Sequence, residues 1–152
     1  MRLVLDSSVL IAAVRPGESE HHDARAFVDH LRPLLLGGGA QAFAPPELWL
    51  EVHVVEQRLA RARRGAPSLG AALDGLAIEL VTPATLESLT SFLEVLSKRM
   101  RGRRPFANAT DLVYLWAAWT LDATAVTLDR GMLEYHGVVC DVTLPQHVRF
   151  RG

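Results

Sequence analysis

Cysteine is all but missing from this chain. Cys140 is the only one, so no internal disulfide can form and nothing points to an oxidising compartment. Its setting, Gly137-Val138-Val139-Cys140, suits a small buried hydrophobe rather than a reactive thiol. No apolar run approaches the roughly 20 residues that a membrane span needs. The acid at position 6 interrupts any signal-peptide core before it can form, which predicts a soluble cytoplasmic protein. A dominant charge is lacking too: sixteen basic and seventeen acidic residues leave a net charge of −1, so only their distribution can speak about partners. There is no internal repeat, heptad array or low-complexity segment.

What is present is enough apolar material for one core. With 152 residues and 49% hydrophobic content, the expectation is a single domain over residues 1–152. Leu3-Val4-Leu5 reads as a buried strand, the polar trio Asp6-Ser7-Ser8 as a junction, and residues 9–14 as a short helix. Apolar residues recur every three or four positions over 20–36, predicting a helix that Gly37-Gly38-Gly39 stops. A strand at 41–44 leads through Pro45-Pro46 into a helix over 46–63, with Leu48, Val52, Val55 and Leu59 on one stripe. A short helical piece at 69–74 and a strand at 76–81 follow. The next helix spans 84–99, capped by Thr82 or Thr85; after a basic loop at 101–105 come a helix at 108–121, a strand at 123–128, a short helix at 130–135 and a last strand at 138–142. Strands alternating with helices predict an α/β fold with a parallel sheet covered on both faces. In such a sheet, ligands gather beyond the carboxyl ends of the strands.

Four acids fit that location. Asp6 and Asp129 each directly follow a strand. Glu51 is the only formal charge from 48 to 55, on a helix apolar nearly all round and therefore expected to be buried, where a lone carboxylate is costly. Asp111 is the only charge between Ala107 and Leu121. Each has a local alternative. Asp6 could cap the following helix, Asp111 could be a first-turn anion behind a cap at Asn108 or Thr110, Asp129 could be a turn residue, and Glu51 could pair with an arginine or reach solvent. Together, several carboxylates at one place repel unless a cation neutralises them, and oxygen-only ligands favour a hard cation such as magnesium. With metal, such a pocket is a site for phosphodiester hydrolysis.

These residues resemble the PIN-domain family, and within it the VapC-type toxins of bacterial toxin–antitoxin modules. The matching strings are LVLDSSVLIAA at 3–13, PPELWLEV at 45–52, TDLVYLWAA at 110–118 and AVTLDRGML at 125–133, in the family's order across nearly the whole chain. The resemblance implies a PIN-like three-layer α/β/α fold with a central parallel sheet of four to five strands. It further implies a homodimer with Mg2+- or Mn2+-dependent endoribonuclease activity, and a cognate antitoxin as partner. Carried over by position, Asp6, Glu51 and Asp111 match the acidic metal-site residues, Asp129 the fourth acid, and Ser8 a polar position supporting the first aspartate. Glu47 competes with Glu51 for register, but the spacing to Val52 favours Glu51.

Arginines gather in two places, Arg58, Arg61, Arg63 and Arg64 at one helix end, and Lys98, Arg99, Arg101, Arg103 and Arg104 around the basic loop. They are either a solvated face or a track for RNA phosphates, for which Arg61, Arg64, Arg101, Arg103 and Arg104 are the candidates. His21 and His22 are adjacent and diverge on a helix, so they are expected to face solvent rather than share an ion. His53 reads as a core histidine, and Trp49, Trp116 and Trp119 as fillers of the core or of a dimer interface. Two other functions fit parts of the pattern: a catalytically inactive PIN-like module binding RNA or protein, and a metal-dependent phosphatase, which commonly wants an aspartate pair two residues apart where this chain has Ser8.

Overall fold

Leu3, Val4 and Leu5 are almost wholly shielded from solvent, so the first strand, β1 (Arg2–Leu5), is covered on both faces, as a central strand of a parallel sheet must be. The computed structural model describes residues 1–62, 70, 73, 75–81, 85–100 and 108–150, with only the helical backbone described at 59–62. Four more strands, β2 (Gln41–Ala44), β3 (Ile78–Leu80), β4 (Thr124–Val126) and β5 (Val142–Thr143), join β1 in one parallel sheet of order β3-β2-β1-β4-β5. Among the described residues, six α-helices flank it: α1 (Ser7–Val14), α2 (His21–Leu36), α3 (Glu47–Ala62), α4 (Leu86–Arg99), α5 (Ala109–Thr120) and α6 (Arg130–Leu133). The architecture is the α/β fold with a parallel sheet that the alternation of elements predicts.

Strand order decides where a ligand can bind. The chain steps outward from β1 to β2 and β3, then returns to the opposite side of β1 for β4 and β5. Right-handed crossovers therefore carry α1 to α3 to one face and α4 and α5 to the other, and α1 indeed packs on α2 and α3 while α4 packs on α5. The reversal opens a crevice beyond the carboxyl ends of β1 and β4. Pairing of Leu5 with Val126 brings Asp6 beside Thr127 at that crevice.

Helix ends follow local chemistry. Thr85, not Thr82, caps α4, its Oγ1 accepting from the Ser88 amide at 3.2 Å; position 82 lies outside the described residues. Asn108 caps α5, its Oδ1 accepting from the amides of Thr110 and Asp111 at 2.8 and 3.2 Å. The core unites both layers, with Leu10, Leu31, Leu48, Phe92, Leu96, Leu115 and Met132 fully buried. Each contributes on the order of 1.5–3 kcal/mol by leaving water.

Several expectations need correcting. The last strand is Val142–Thr143, not 138–142. Gly137 takes a φ of 70°, and its amide donates to the Cys140 carbonyl at 3.0 Å, so Val138 is buried from a turn. The fourth strand ends at Val126 rather than 128, because the amides of Leu128 and Asp129 turn to the hydroxyls of Ser8 and Thr127. Helix α3 is not buried all round: Leu48 and Val52 face the core, but Trp49, Leu50 and Val54 are exposed. His53, on the same outer side, is 65% exposed and is no core histidine. Trp116 does fill the core, its indole donating to Ser88 Oγ at 2.7 Å, and Trp119 packs on Phe92. His21 does not simply face solvent: its Nδ1 lies 2.7 Å from the Ala12 carbonyl and ties α2 to α1, whereas His22 is exposed. Cys140 is half-buried, and burial pushes its thiol up to about 12. The helical piece at 69–74 falls mostly outside the described residues. Among the described residues, no helix is long and apolar enough to cross a membrane.

Candidate active site

Asp6 is the first residue past β1 and is only 7% exposed. It occupies the N-cap position of α1, yet its side chain makes no capping bond. Its Oδ2 instead accepts from Ser8 Oγ at 2.5 Å and from Thr127 Oγ1 at 2.6 Å. Both hydroxyls are held in turn by backbone. The Leu128 amide donates to Ser8 Oγ at 3.0 Å, and the Asp129 amide donates to Thr127 Oγ1 at 2.9 Å. The loop after β4 thus fixes the carboxylate after β1. Burial raises the Asp6 carboxyl above its ordinary value, the two hydroxyls work against that rise, and the Glu51 charge adds to it.

Asp129 sits at the mouth of the crevice, exposed, and caps α6 by accepting from the amides of Gly131 and Met132 at 2.5 and 3.2 Å. Both bonds fall on Oδ1. A methyl group at Gly131 would come within 3.0 Å of that oxygen, so a side chain there would displace the carboxylate. Glu51, half-buried on α3, accepts from the Tyr114 hydroxyl at Oε2, 2.7 Å away. Asp111 lies in the first turn of α5 behind the Asn108 cap.

Asp111 reports that the four acids share one place. Burial first, and then the charges of Asp129, Asp6 and Glu51, push its carboxyl up to about 6. Three acids drawn from β1, α3 and the β4–α6 junction thus act on a fourth from α5. Among the described residues, none of the four is in a salt bridge; the ion pairs lie elsewhere, at Arg15–Glu18, Arg25–Asp29 and His53–Glu56. Nor do any three described histidines, cysteines or carboxylates stand close enough together to enclose an ion by themselves. Magnesium needs no such cage, since it keeps much of its water and is usually held by one or two protein carboxylates. The donor set, oxygen only and anionic, suits the same class of hard cation.

Three solved structures share this architecture over nearly their full length. VapBC2 from Rickettsia felis, bound to a DNA fragment from their promoter, aligns with a TM-score of 0.62 at 13% identity, covering 95% of this chain and 98% of that chain. FitAcB from Neisseria gonorrhoeae aligns with a TM-score of 0.54 at 17% identity, covering 96% and 99%. PAE2754 from Pyrobaculum aerophilum aligns with a TM-score of 0.53 at 18% identity, covering 93% and 92%. This chain has the PIN-like fold. The fold implied by the four sequence strings is therefore the one observed. No protein-family model matches the chain, and no curated protein matches it in sequence.

Within this PIN-like fold the structure brings Asp6, Glu51, Asp111, Asp129 and Ser8 to one end of the sheet. Glu47 lies one turn earlier than Glu51 on α3, its Oε2 buried with no hydrogen-bond partner among the described residues. Of the basic candidates, the side chain of Arg61 and all of Arg64, Arg101, Arg103 and Arg104 lie outside the described residues. Sequence reasoning missed Thr127 and Tyr114. Thr127 stands two residues before Asp129 at a strand end, and Tyr114 one helical turn after Asp111, so both spacings could have flagged them.

Proposed function

We propose that this chain is a divalent-metal-dependent endoribonuclease, a single PIN-like domain over residues 1–152 acting as the VapC-type toxin of a toxin–antitoxin module. The observation that carries this is the crowding of Asp111 by three other carboxylates, none of them in a salt bridge among the described residues. Fixed anions gathered at the switch point of a sheet disfavour the fold and would repel an RNA backbone, so their use lies in holding a cation.

Asp6 and Asp111 would hold Mg2+ or Mn2+, with Glu51 and Asp129 completing its surroundings. Such an ion, when bound, activates a water and stabilises charge on the scissile phosphate and leaving oxygen. The chain's own part is placement. Ser8 and Thr127 keep the Asp6 carboxylate from rotating, and the amides of α6 do the same for Asp129. Asp111 must lose the proton that its neighbours stabilise before it can bind a cation.

The partners follow from the same family. A structure similar to this chain, VapBC2, is bound to promoter DNA, which supports an antitoxin partner for this chain as well. RNA is the substrate, the functional unit is a homodimer, and the cytoplasm is where it acts. Asp6→Asn or Asp111→Asn should abolish magnesium-stimulated cleavage of RNA while leaving the circular dichroism spectrum and cooperative unfolding intact. Full activity in either variant, or a wild-type protein that binds RNA without metal-stimulated cleavage, overturns the proposal.

A further inference from the structure

A phenol as deeply buried as that of Tyr114, 1% exposed, must find a partner for its hydroxyl. Many partners could serve in a core. The one present is Glu51, whose Oε2 accepts at 2.7 Å across 63 residues of sequence. Glu51 is carried on a helix whose outer side, at Trp49, Leu50 and Val54, faces solvent, and a flexible glutamate there has many rotamers to choose from. The bond selects one. It also joins two elements on opposite faces of the sheet, because Tyr114 lies on α5, three residues after Asp111 and therefore on the same side of that helix. The Ser7 hydroxyl is also near enough to the phenol to act on it. Ser7 is buried and directly follows Asp6, so the phenol that orients Glu51 is seated against the same junction that bears Asp6.

We propose that Tyr114 is a positioning residue for the metal site: its hydroxyl holds Glu51 toward Asp6 and Asp111, so that the glutamate is in place before the cation arrives. This rests on the proposed assignment of the four acids as metal ligands. Two alternatives are weaker. Were the bond only a way to satisfy a buried hydroxyl, its loss would cost stability and leave metal binding unchanged. Were Glu51 held by α3 alone, it would need a donor on its own face of the sheet; among the described residues, Tyr114 provides its hydrogen bond, and no salt bridge supplements it.

Tyr114→Phe removes the donor and keeps the ring, so calorimetric titration of the purified full chain with Mn2+ separates these cases. Groups that orient metal ligands typically matter by about 10- to 100-fold in metal affinity, and Tyr114→Phe should weaken Mn2+ binding within that range. In a Glu51→Gln background the same substitution should change nothing further. Wild-type affinity in Tyr114→Phe, or losses that simply add in the double variant, overturns the assignment of Tyr114. If Asp6→Asn and Glu51→Gln both bind Mn2+ as the wild type does, the carboxylate site itself fails and Tyr114 falls with it. If those variants lose the ion and Tyr114→Phe does not, only the role of Tyr114 is lost. Should Tyr114→Phe fail to fold, the near-ultraviolet difference spectrum of the wild type decides. Mg2+ should perturb the tyrosine bands, Glu51→Gln should abolish that change, and a spectrum silent to Mg2+ overturns the proposal.

Discussion

Asp111 shows how a common residue can acquire an uncommon environment. A first-turn aspartate is ordinary and usually favourable, since it faces the positive end of the helix. Here burial and three neighbouring anions outweigh that benefit and raise its carboxyl to about 6. The sign of the consequence follows from linkage. Asp111 holds its proton more tightly folded than unfolded, so between the ordinary aspartate value near 4 and about 6 the folded state carries the extra proton. Stability therefore falls as pH rises through that window, and the charged cluster is a burden above it. Asp111→Asn should unfold at a higher temperature than the wild type at pH 7.5 without metal, and the gap should shrink as pH drops from 6 to 4. A melting series in metal-free buffer checks this; a gap that widens on acidification contradicts the shared location of the acids. Saturating Mg2+ should narrow the same gap at pH 7.5, because the ion supplies the neutralisation that the substitution supplies otherwise.

At the scale of elements, the site depends on short structures held at their ends. Helix α5 brings in both Asp111 and Tyr114, and its first turn is organised by Asn108, which satisfies two amides. Asn108→Ala should cost about 1 kcal/mol of global stability, within the roughly 0.5–2 kcal/mol typical of lost caps. A lower urea midpoint with an unchanged m-value is the expected result. An unchanged midpoint would mean that neighbouring groups or water replace the cap. Strand β4 illustrates the complementary case. It is three residues long because, past the Thr127 amide that still donates to the Thr143 carbonyl, the Leu128 and Asp129 amides turn to the hydroxyls of Ser8 and Thr127, the latter donating to Asp6. Hydrophobic patterning alone favours extending that strand through Leu128. A hydroxyl's choice of partner 121 residues away in sequence carries no period that such patterning can register.

For the whole molecule, the near balance of charge conceals a separation: acids converge beyond β1 and β4, while basic residues cluster in sequence at 58–64 and 98–104. The second cluster lies largely outside the described residues, so its role is to be tested in solution. If Arg101, Arg103 and Arg104 each contact an RNA phosphate, replacing all three by alanine should reduce the slope of log affinity against log salt by about 2 for single-stranded RNA. An unchanged slope would assign the cluster to the solvated surface. The exposed apolar side of α3 is also a property of the molecule rather than of the helix. The sequence of α3 reads as apolar nearly all round and hence buried, but only its Leu48 and Val52 side is buried, and α1 packs on the helix.

By itself, the sequence determined the alternation of strands and helices, the parallel sheet and the positions of the four acids. These are legible because side-chain periodicity, caps and strand-end polarity act over a few residues, and the four matching strings keep their order along the chain. Tertiary structure alone decided the rest. It gave Asp6 hydroxyl partners in place of a helix cap, turned Trp49 and His53 outward, ended β4 at Val126, and set Tyr114 against Glu51. Each of these depends on which elements pack together. That is fixed by the reversal of strand order between β1 and β4, a contact between distant segments to which local periodicity is blind.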